Sequence, residues 1–342
     1  METDTDTHYA SVNTDMTKPL LKTDNSLREL GENEVLVKIH SAPINPSDTY
    51  NARGVYGMLG GSTDGHGIGF DGAGEVLKVG KGVDEGLVGK RVAVGQLPFT
   101  PGYEGSWRQY LITLKDNLMI YPDDADFDKI CSSFVNPITV CTFLHHIEKN
   151  KYKAIIQTAA SSSLGKMLHR LCLDKDVKII NIVRKDEQVK ALEDLGSTHT
   201  VNSNSETFKE DLAKAIEELQ PTALFDPVGG ELSKTILMSM PTFSTLYIYG
   251  SLDTTGTFTY NNRELLSKRA TLMTVFATDL AKFCTPEELQ SYYELVSKDI
   301  YEGGKIFGTE VVSTHPLSDF EKAIAEREAS ASQGKIILKP WE

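Results

Sequence analysis

The sequence lacks the signatures of several large protein classes. Lys and Arg number 35 against 48 Asp and Glu, and no basic cluster interrupts the resulting net charge of −13. An acidic chain of this kind is a poor ligand for nucleic acid or for an anionic membrane surface. No apolar run approaches the ~20 residues that span a bilayer. The composition therefore argues against both nucleic-acid and membrane partners.

Cysteine is scarce, and what there is stands singly: the four positions are Cys131, Cys141, Cys172 and Cys284. None forms a Cys-x-x-Cys pair, so neither a structural zinc nor a disulfide framework is indicated. We expect reduced, buried thiols of the kind found in cytosolic proteins. The acidic N-terminus predicts neither a secretory signal nor a mitochondrial presequence, so the sequence favours a cytoplasmic location.

The 342 residues fall into two regions with different sequence patterns. From about 34 to 94 the chain is rich in β-branched residues and glycine, and it alternates as half-buried strands do, which predicts a barrel-like β domain. From about 127 apolar runs alternate with helical patterns, which predicts a doubly wound parallel sheet. The predicted strands lie at 154–157, 177–183, 223–226, 245–250 and 271–276, and the predicted helices at 136–148, 163–174, 186–195, 206–219 and 230–239.

The C-terminal part is predicted to return to the first domain. Its elements are a helix at 286–301, a strand near 309–312, a helix at 317–329 and a final strand at 334–339. The sequence thus predicts an α/β protein with a β domain at 1–126 that is completed by 277–342. A dinucleotide-binding domain is predicted at 127–276.

The stretch 153–185 carries the most functional information. An apolar run, a turn of small residues, a helix and a second apolar run form a βαβ unit, which places a helix N-terminus where it can hold a pyrophosphate. The turn has one glycine where such turns normally have three, and serine hydroxyls replace part of the lost backbone freedom. The alternative is an ordinary βαβ unit with a serine-rich helix cap. The expected phosphate-binding residues are Ser161, Ser162, Ser163, Leu164 and Gly165.

Arg184, at the end of the second strand of this unit, argues for NADPH. Folds that bind NAD usually carry Asp or Glu at this place, roughly 20 residues past the turn, to bind the ribose 2′-hydroxyl. A carboxylate would repel a 2′-phosphate, whereas a guanidinium pairs with it bidentately. Lys185 adds a second positive charge, although a lysine alone is more often a solvated surface residue.

Five segments together resemble the medium-chain dehydrogenase/reductase family: Ala42–Asp48, Gly69–Val76, Val88–Val92, Asp226–Gly230 and Gly334–Leu338. Within that family the chain resembles the zinc-free quinone oxidoreductases and the mitochondrial-type 2-enoyl thioester reductases. The resemblance implies a GroES-like β-barrel catalytic domain plus a Rossmann domain with a doubly wound parallel sheet. It also makes mitochondria the alternative to the cytoplasm.

The resemblance further implies that the protein works without a metal. Zinc-dependent relatives have a Cys where this chain has Asn45, and a His-Glu pair where it has Phe70 and Asp71, so three zinc ligands cannot be assembled. Without a metal to polarise a C–O bond, NADPH can still give a hydride to the β-carbon of a polarised alkene. Such alkenes are enoyl thioesters, enones and quinones, in which the carbonyl oxygen takes up the negative charge.

By the same resemblance, Tyr56 is the proton donor for the α-carbon. The tyrosine of the Gly-x-Tyr-Gly element is the catalytic acid of the enoyl reductases, and tyrosine carries its proton at neutral pH. The alternative is a tyrosine that only lines the pocket. Asn45 faces the nicotinamide in relatives and is the second catalytic candidate, although Asn-Pro is also an ordinary turn former.

Further contacts follow from the resemblance. Thr139 corresponds to a threonine that contacts the nicotinamide carboxamide, and Gly229 and Gly250 follow strands at the rim where open α/β sheets bind ligands. Phe276 either covers the nicotinamide or packs in the core. Trp107 either lines an acyl channel or is a core aromatic.

Two functions from different classes remain open. The first is an NADPH-dependent reductase of a small molecule with a conjugated C=C bond. The resemblance implies that it works as a homodimer whose nucleotide-domain sheets join edge to edge, with residues 244–249 and 255–260 as the expected edge. The second is a catalytically retired family member that serves as a scaffold or as a subunit of a larger assembly. The serine-substituted turn and the unusual loop after Tyr56 motivate this second function.

Overall fold

The computed structural model describes residues 8–15, 18–53, 66–96, 103–253, 257, 259–330 and 333–342. The chain divides into two compact units, Met1–Ile138 with Thr285–Glu342, and Thr139–Cys284. The chain passes from the first unit to the second after Ile138 and back after Cys284, and both points lie later than the domain boundaries expected from the sequence. At the second crossing, the ring of Phe283 packs on that of His146 at 4.9 Å, which keeps this segment with the second unit. Among the described residues, no helix is both long and apolar enough to cross a membrane.

The first unit is mainly β. A seven-stranded sheet has the order β14-β15-β3-β4-β5-β7, with β6 paired to β3, and β1 and β2 form a separate antiparallel pair. Its strands are β1 (Tyr9–Asp15), β2 (Lys18–Asn25), β3 (Glu34–Pro43), β4 (Asp71–Val79), β5 (Arg91–Gly95), β6 (Tyr110–Leu114), β7 (Leu118–Tyr121), β14 (Val311–Pro316) and β15 (Lys335–Lys339). Its helices are α1 (Pro46–Ala52), α2 (Phe127–Ile130), α10 (Pro286–Tyr301) and α11 (Phe320–Ala329), and α3 (Val135–Asn150) begins in this unit and continues in the second.

The alternating sequence of β3 explains its central place in this sheet. Val35, Val37 and Ile39 are fully buried, because successive side chains of a strand point to opposite faces. The C-terminal strand β15 runs antiparallel to β3 and pairs Leu338 with Ala42. The start of β15 therefore lies against the turn that follows β3, and Trp341, near the end of the chain, bonds back to Ile39.

The second unit is a doubly wound α/β domain. All six strands are parallel, in the order β10-β9-β8-β11-β12-β13, which is the Rossmann order. The predicted fold class, a GroES-like unit plus a Rossmann sheet, is confirmed. The strands are β8 (Ala154–Gln157), β9 (Lys178–Val183), β10 (Thr200–Asn202), β11 (Ala223–Asp226), β12 (Thr245–Ile248) and β13 (Thr271–Thr274). The helices are α4 (Ser163–Asp174), α5 (Asp186–Glu193), α6 (Phe208–Leu219), α7 (Gly230–Ser239), α8 (Asn262–Lys268) and α9 (Leu280–Phe283).

The strand order reverses between β8 and β11, so the turns after these two strands flank the crevice in which open α/β sheets bind their ligands. Every residue of both strands is buried, as expected for parallel strands covered on both faces. The predicted phosphate turn follows β8 and Gly229 follows β11. The fold thus brings these two predicted cofactor-binding elements to neighbouring strand ends.

The prediction that residues 244–249 and 255–260 form the edge of this sheet was wrong. Residues 244–249 contain β12, which lies between β11 and β13, and the described part of 255–260 forms no strand. The edge is β13, because α8 leads the chain across to one further parallel strand. All four residues of β13 are exposed, including Leu272 and Met273 at 39% and 36%.

Candidate active site

The turn after β3 is internally hydrogen-bonded. Asn45 caps helix α1, and its N–H donates to Asp48 Oδ2 at 2.6 Å, while Asp48 Oδ1 accepts from the Phe70 N–H at 2.9 Å. The Asn45 side-chain Nδ2 donates to Asp71 Oδ2 at 3.0 Å. Asn45 and Asp48 are fully buried, and Asp71 is 1% exposed. The amide of Asn45 therefore serves the protein's own polar network.

Asp71 ties this network to helix α3. Its Oδ1 accepts from the N–H groups of Phe134 and Val135 at 3.1 and 2.9 Å. The first N–H groups of a helix have no intrahelical acceptor, and a carboxylate there also complements the helix dipole. Gly69, nearby in the same motif, has a φ of 102°, and a Cβ at this position would collide with Trp107. The Gly69–Val76 motif is thus explained by helix capping and close packing.

Lys335, which the sequence analysis did not single out, completes the network. It is the first residue of β15, is 5% exposed, and its Nζ donates to Asn45 Oδ1. Burial lowers the pKa of Lys335, raises the pKa of Asp71 and raises the pKa of Asp48 to about 7. The only signal in the sequence was a lysine beginning an apolar strand, and lysine is almost never fully buried unless it is paired.

Tyr56 and Trp107 are the two other residues predicted to act in this unit. Tyr56 lies outside the described residues, a few positions after α1 ends at Ala52. Trp107 is fully buried, and its Nε1 donates to the backbone oxygen of Pro43 at 3.3 Å. This position favours the core interpretation of Trp107 over a role in an acyl channel.

In the second unit, the turn after β8 holds the start of α4 tightly. Ser162 is the N-cap, and its hydroxyl accepts from the Gly165 N–H at 3.1 Å. A Cβ at Gly165 would lie 2.6 Å from the backbone oxygen of Ala160, so the single retained glycine is needed for this close approach. Ser163 and Leu164 occupy the first helical turn, where N–H groups have no intrahelical acceptor and can bind a phosphate. Ser161 precedes the cap and is 7% exposed.

Two buried amides, which the sequence analysis missed, fasten this turn to the sheet. Gln157 Nε2 donates to the backbone oxygen of Gly165 at 2.9 Å and to Asn181 Oδ1 at 2.7 Å. Both amide residues are fully buried. The available signal was a polar residue inside each of two apolar runs, since buried polar groups need specific partners.

Asp226 organises the neighbouring turn. Its carboxylate accepts from the hydroxyls of Thr158 and Ser233 and, at 2.9 Å, from the N–H of Gly229. Gly229 has a φ of 84° and precedes α7, and among the described residues no atom lies within 4 Å of where its Cβ would be. The backbone at Gly229 is therefore open to close approach by a ligand.

Arg184 is exposed at the carboxyl end of β9, with its backbone fixed from both sides. Its N–H donates to Gln188 Oε1 at 3.1 Å, and its backbone oxygen accepts from Asn204 Nδ2 at 3.0 Å. Lys185 follows as the exposed N-cap of α5. Two cations thus stand side by side on an anchored backbone, which suits a dianionic phosphate.

The remaining predicted cofactor contacts lie on separate elements. Thr139 is in α3 and 7% exposed, and Gly250 follows β12, where a Cβ would lie 3.0 Å from the backbone oxygen of Pro227. Phe276, after β13, is 43% exposed, so its alternative interpretation as a core aromatic is wrong.

Two protein families match the sequence. Residues 31–123 match the alcohol dehydrogenase GroES-like domain, and residues 163–298 match the family described as zinc-binding dehydrogenase. They occur here in the order, and on the folds, that the two units show. The chain is a medium-chain dehydrogenase/reductase.

This medium-chain dehydrogenase/reductase is 26% identical over 330 residues to the mitochondrial enoyl-acyl-carrier-protein reductase of Dictyostelium discoideum, covering 93% of this chain and 89% of that one. Two solved structures share its fold. A Mesorhizobium loti protein assigned to the NADPH:quinone reductases has a TM-score of 0.85 at 23% identity, over 99% of this chain and 100% of that one. A heterodimeric mitochondrial 2-enoyl thioester reductase from Candida tropicalis has a TM-score of 0.78 at 22% identity, over 97% and 100%.

One matching family is described as zinc-binding, yet the donor groups of this medium-chain dehydrogenase/reductase do not fit a zinc ion. Asn45 has a neutral amide and Phe70 a hydrocarbon ring, neither of which is a usual zinc ligand. The carboxylates of Asp48 and Asp71 accept from N–H donors of the protein. Within the described ranges, no three His, Cys, Asp or Glu side chains are grouped to hold a metal.

Proposed function

We propose that the protein is an NADPH-dependent reductase of C=C bonds that are conjugated to a carbonyl group. The observation that carries the proposal is the exposed pair Arg184 and Lys185 at the carboxyl end of β9, where an NAD-binding protein would have a carboxylate. The naming of the relatives as enoyl reductases and quinone reductases supports the same reaction class.

In this proposal the second unit binds the nucleotide. The N–H groups of Ser163 and Leu164 and the open backbone at Gly229 hold the pyrophosphate, because helix N-termini favour anions. Arg184 and Lys185 hold the 2′-phosphate. The nicotinamide is contacted by Thr139, Gly250 and Phe276.

The first unit supplies the proton. Bound NADPH provides the hydride for the β-carbon of the alkene. Tyr56 then donates its phenolic proton to the α-carbon, so that this carbon does not need a proton from bulk water. Asn45, whose amide is fixed by Asp71 and Lys335, gives the turn beside the reaction a defined shape.

The preferred substrates are 2-enoyl thioesters, with quinones and enones second. NADPH oxidation should be followed with enoyl thioesters of increasing acyl length, with an enone and with a quinone, and with the saturated thioester as the matched control. We expect the highest kcat/KM on an enoyl thioester and no oxidation with the saturated control. Turnover of the quinone alone would move the assignment to the quinone reductases. Failure to bind NADPH would contradict the proposal and favour the retired scaffold.

We also propose that the protein forms a homodimer through β13, the edge strand of the described part of this sheet. The enoyl thioester reductase of Candida tropicalis is a heterodimer, and an exposed edge strand is a template for pairing with a second chain. Leu272→Lys should shift the protein from dimer to monomer in sedimentation velocity, since it puts a charge on this edge. Leu173→Lys, at a 49% exposed leucine of α4, should leave the dimer intact. A dimeric Leu272→Lys variant would contradict this interface.

A further inference from the structure

The proposed reaction uses the turn at Asn45, but it does not explain why a lysine is buried against that turn. Lys335, Asn45, Asp48 and Asp71, here called the Lys335 cluster, bury one ammonium and two carboxyl groups around an amide. We propose that Lys335 is a positioning residue, which locks the Asn45 turn and helix α1 in a single geometry. Its effect on turnover rests on the proposed reductase function, whereas its effect on α1 does not.

The register of the sheet places Lys335 at this turn. Leu338 pairs with Ala42, and the Ile44 N–H donates to the backbone oxygen of Ile336 at 3.0 Å. Lys335 therefore falls opposite Asn45, although 290 positions separate them in the chain. Two independent chain segments meet here, so the contact cannot arise from local turn formation.

The hydrogen bonds of Lys335 determine the geometry of the turn at Asn45. Its Nζ binds Asn45 Oδ1, and this fixes the orientation of the amide, so that Nδ2 points to Asp71. Asp48 in turn holds the Asn45 N–H at the start of α1. Because a buried donor or acceptor without a partner is costly, loss of the lysine should loosen the cap of α1.

The charges of the cluster are coupled. Two carboxylates and one ammonium would leave an uncompensated negative charge in the core, and burial disfavours such a charge. Lys335 lowers the pKa of both carboxyls, while burial raises both. Among the residues that the structure describes, the other ionisable groups that act on Lys335 are Cys131 and, from α11, Arg327. Lys335 is thus the principal buried cation that keeps a proton from residing permanently on Asp48.

The sign of the pH dependence follows. The pKa of Asp48 is about 7 in the folded protein and near its ordinary value, about 4, in the unfolded chain. The free energy of unfolding should fall as pH rises through this window and level off above it, because the folded state holds its proton longer. Without Lys335 the folded pKa of Asp48 rises, so the window should extend to higher pH.

Lys335→Met tests the proposal, and Lys339→Met is its matched control. Lys339 lies on the same strand but binds Asp128 and Ser41. We expect Lys335→Met to lower kcat by about 10²-fold, the cost of a small misplacement near the chemistry, with KM for NADPH unchanged. The pH window in which the free energy of unfolding falls should have its midpoint at higher pH than in the wild type. The backbone amides of α1 should exchange faster with solvent. Lys335→Arg should restore part of each effect, and Lys339→Met should show none.

The readouts separate this proposal from the proposed function. Hydrogen exchange of α1 and the pH dependence of unfolding need no substrate, so they test Lys335 even if no alkene is turned over. If Lys335→Met does not fold, Lys335→Gln, which removes the charge but keeps an N–H donor for Asn45 Oδ1 and leaves Asp48 in place, replaces it. Wild-type exchange of α1 and a wild-type pH midpoint in whichever variant folds would overturn the proposal.

Discussion

Arg184→Glu should reverse the nucleotide preference of this protein. A charge-assisted bond to a phosphate contributes about 1.5–3 kcal/mol, and the introduced carboxylate adds repulsion, so NADPH affinity should fall about 10²-fold or more. A carboxylate at this place accepts from a ribose 2′-hydroxyl, so NADH affinity should hold or improve. Titration of nucleotide fluorescence measures both.

Lys178→Glu is the control for this charge change. Lys178 begins the same strand, β9, but lies at its opposite end, exposed and paired with Asp176 at 3.0 Å. The variant carries the same change of net charge, and nucleotide affinity should not change. Lys185→Glu should give a smaller loss of NADPH affinity than Arg184→Glu, because lysine lacks the bidentate fork. Wild-type NADPH affinity in Arg184→Glu would remove the basis for a 2′-phosphate site at this strand end.

The nucleotide unit was predictable because its strands are short apolar runs between turns. The strands at 154–157 and 223–226 and the helices at 163–174 and 230–239 have the predicted bounds. Strands buried on both faces leave a continuous apolar signal. The three-residue strand β10 was missed because so short a segment carries no detectable period.

The polar clusters were not predictable in the same way. Gln157 looked like the end of an apolar strand and Lys335 like the start of one, and only tertiary pairing shows that both are buried and bonded. The prediction of the sheet edge was wrong for a related reason. Whether a strand is central or at the edge depends on which crossover the chain takes, and the sequence of β12 does not state it.

The left-handed conformation of Ala159, with a φ of 50°, was also not predictable from the sequence. An alanine there costs roughly 1 kcal/mol relative to its usual conformations, and dinucleotide turns often avoid such strain with glycine. The bonds from Ala160 to Ile182 and from Ser162 to Ala159 hold the turn in place. The serine-substituted turn thus has a defined hydrogen-bonded geometry, which fits both a phosphate site and a serine-rich cap of α4.

Tyr56→Phe should lower kcat on enoyl thioesters about 10²–10⁴-fold, the usual contribution of a positioned general acid, and leave KM for NADPH unchanged. Phenylalanine keeps the ring and removes only the proton that the α-carbon needs. Quinone reduction should be spared, since its oxygens can take protons from water. Tyr110→Phe is the control, because Tyr110 contacts Trp341 through its ring, 5.2 Å between centroids. Equal turnover of thioesters by Tyr56→Phe and the wild type would assign the proton to water and leave Tyr56 a pocket residue.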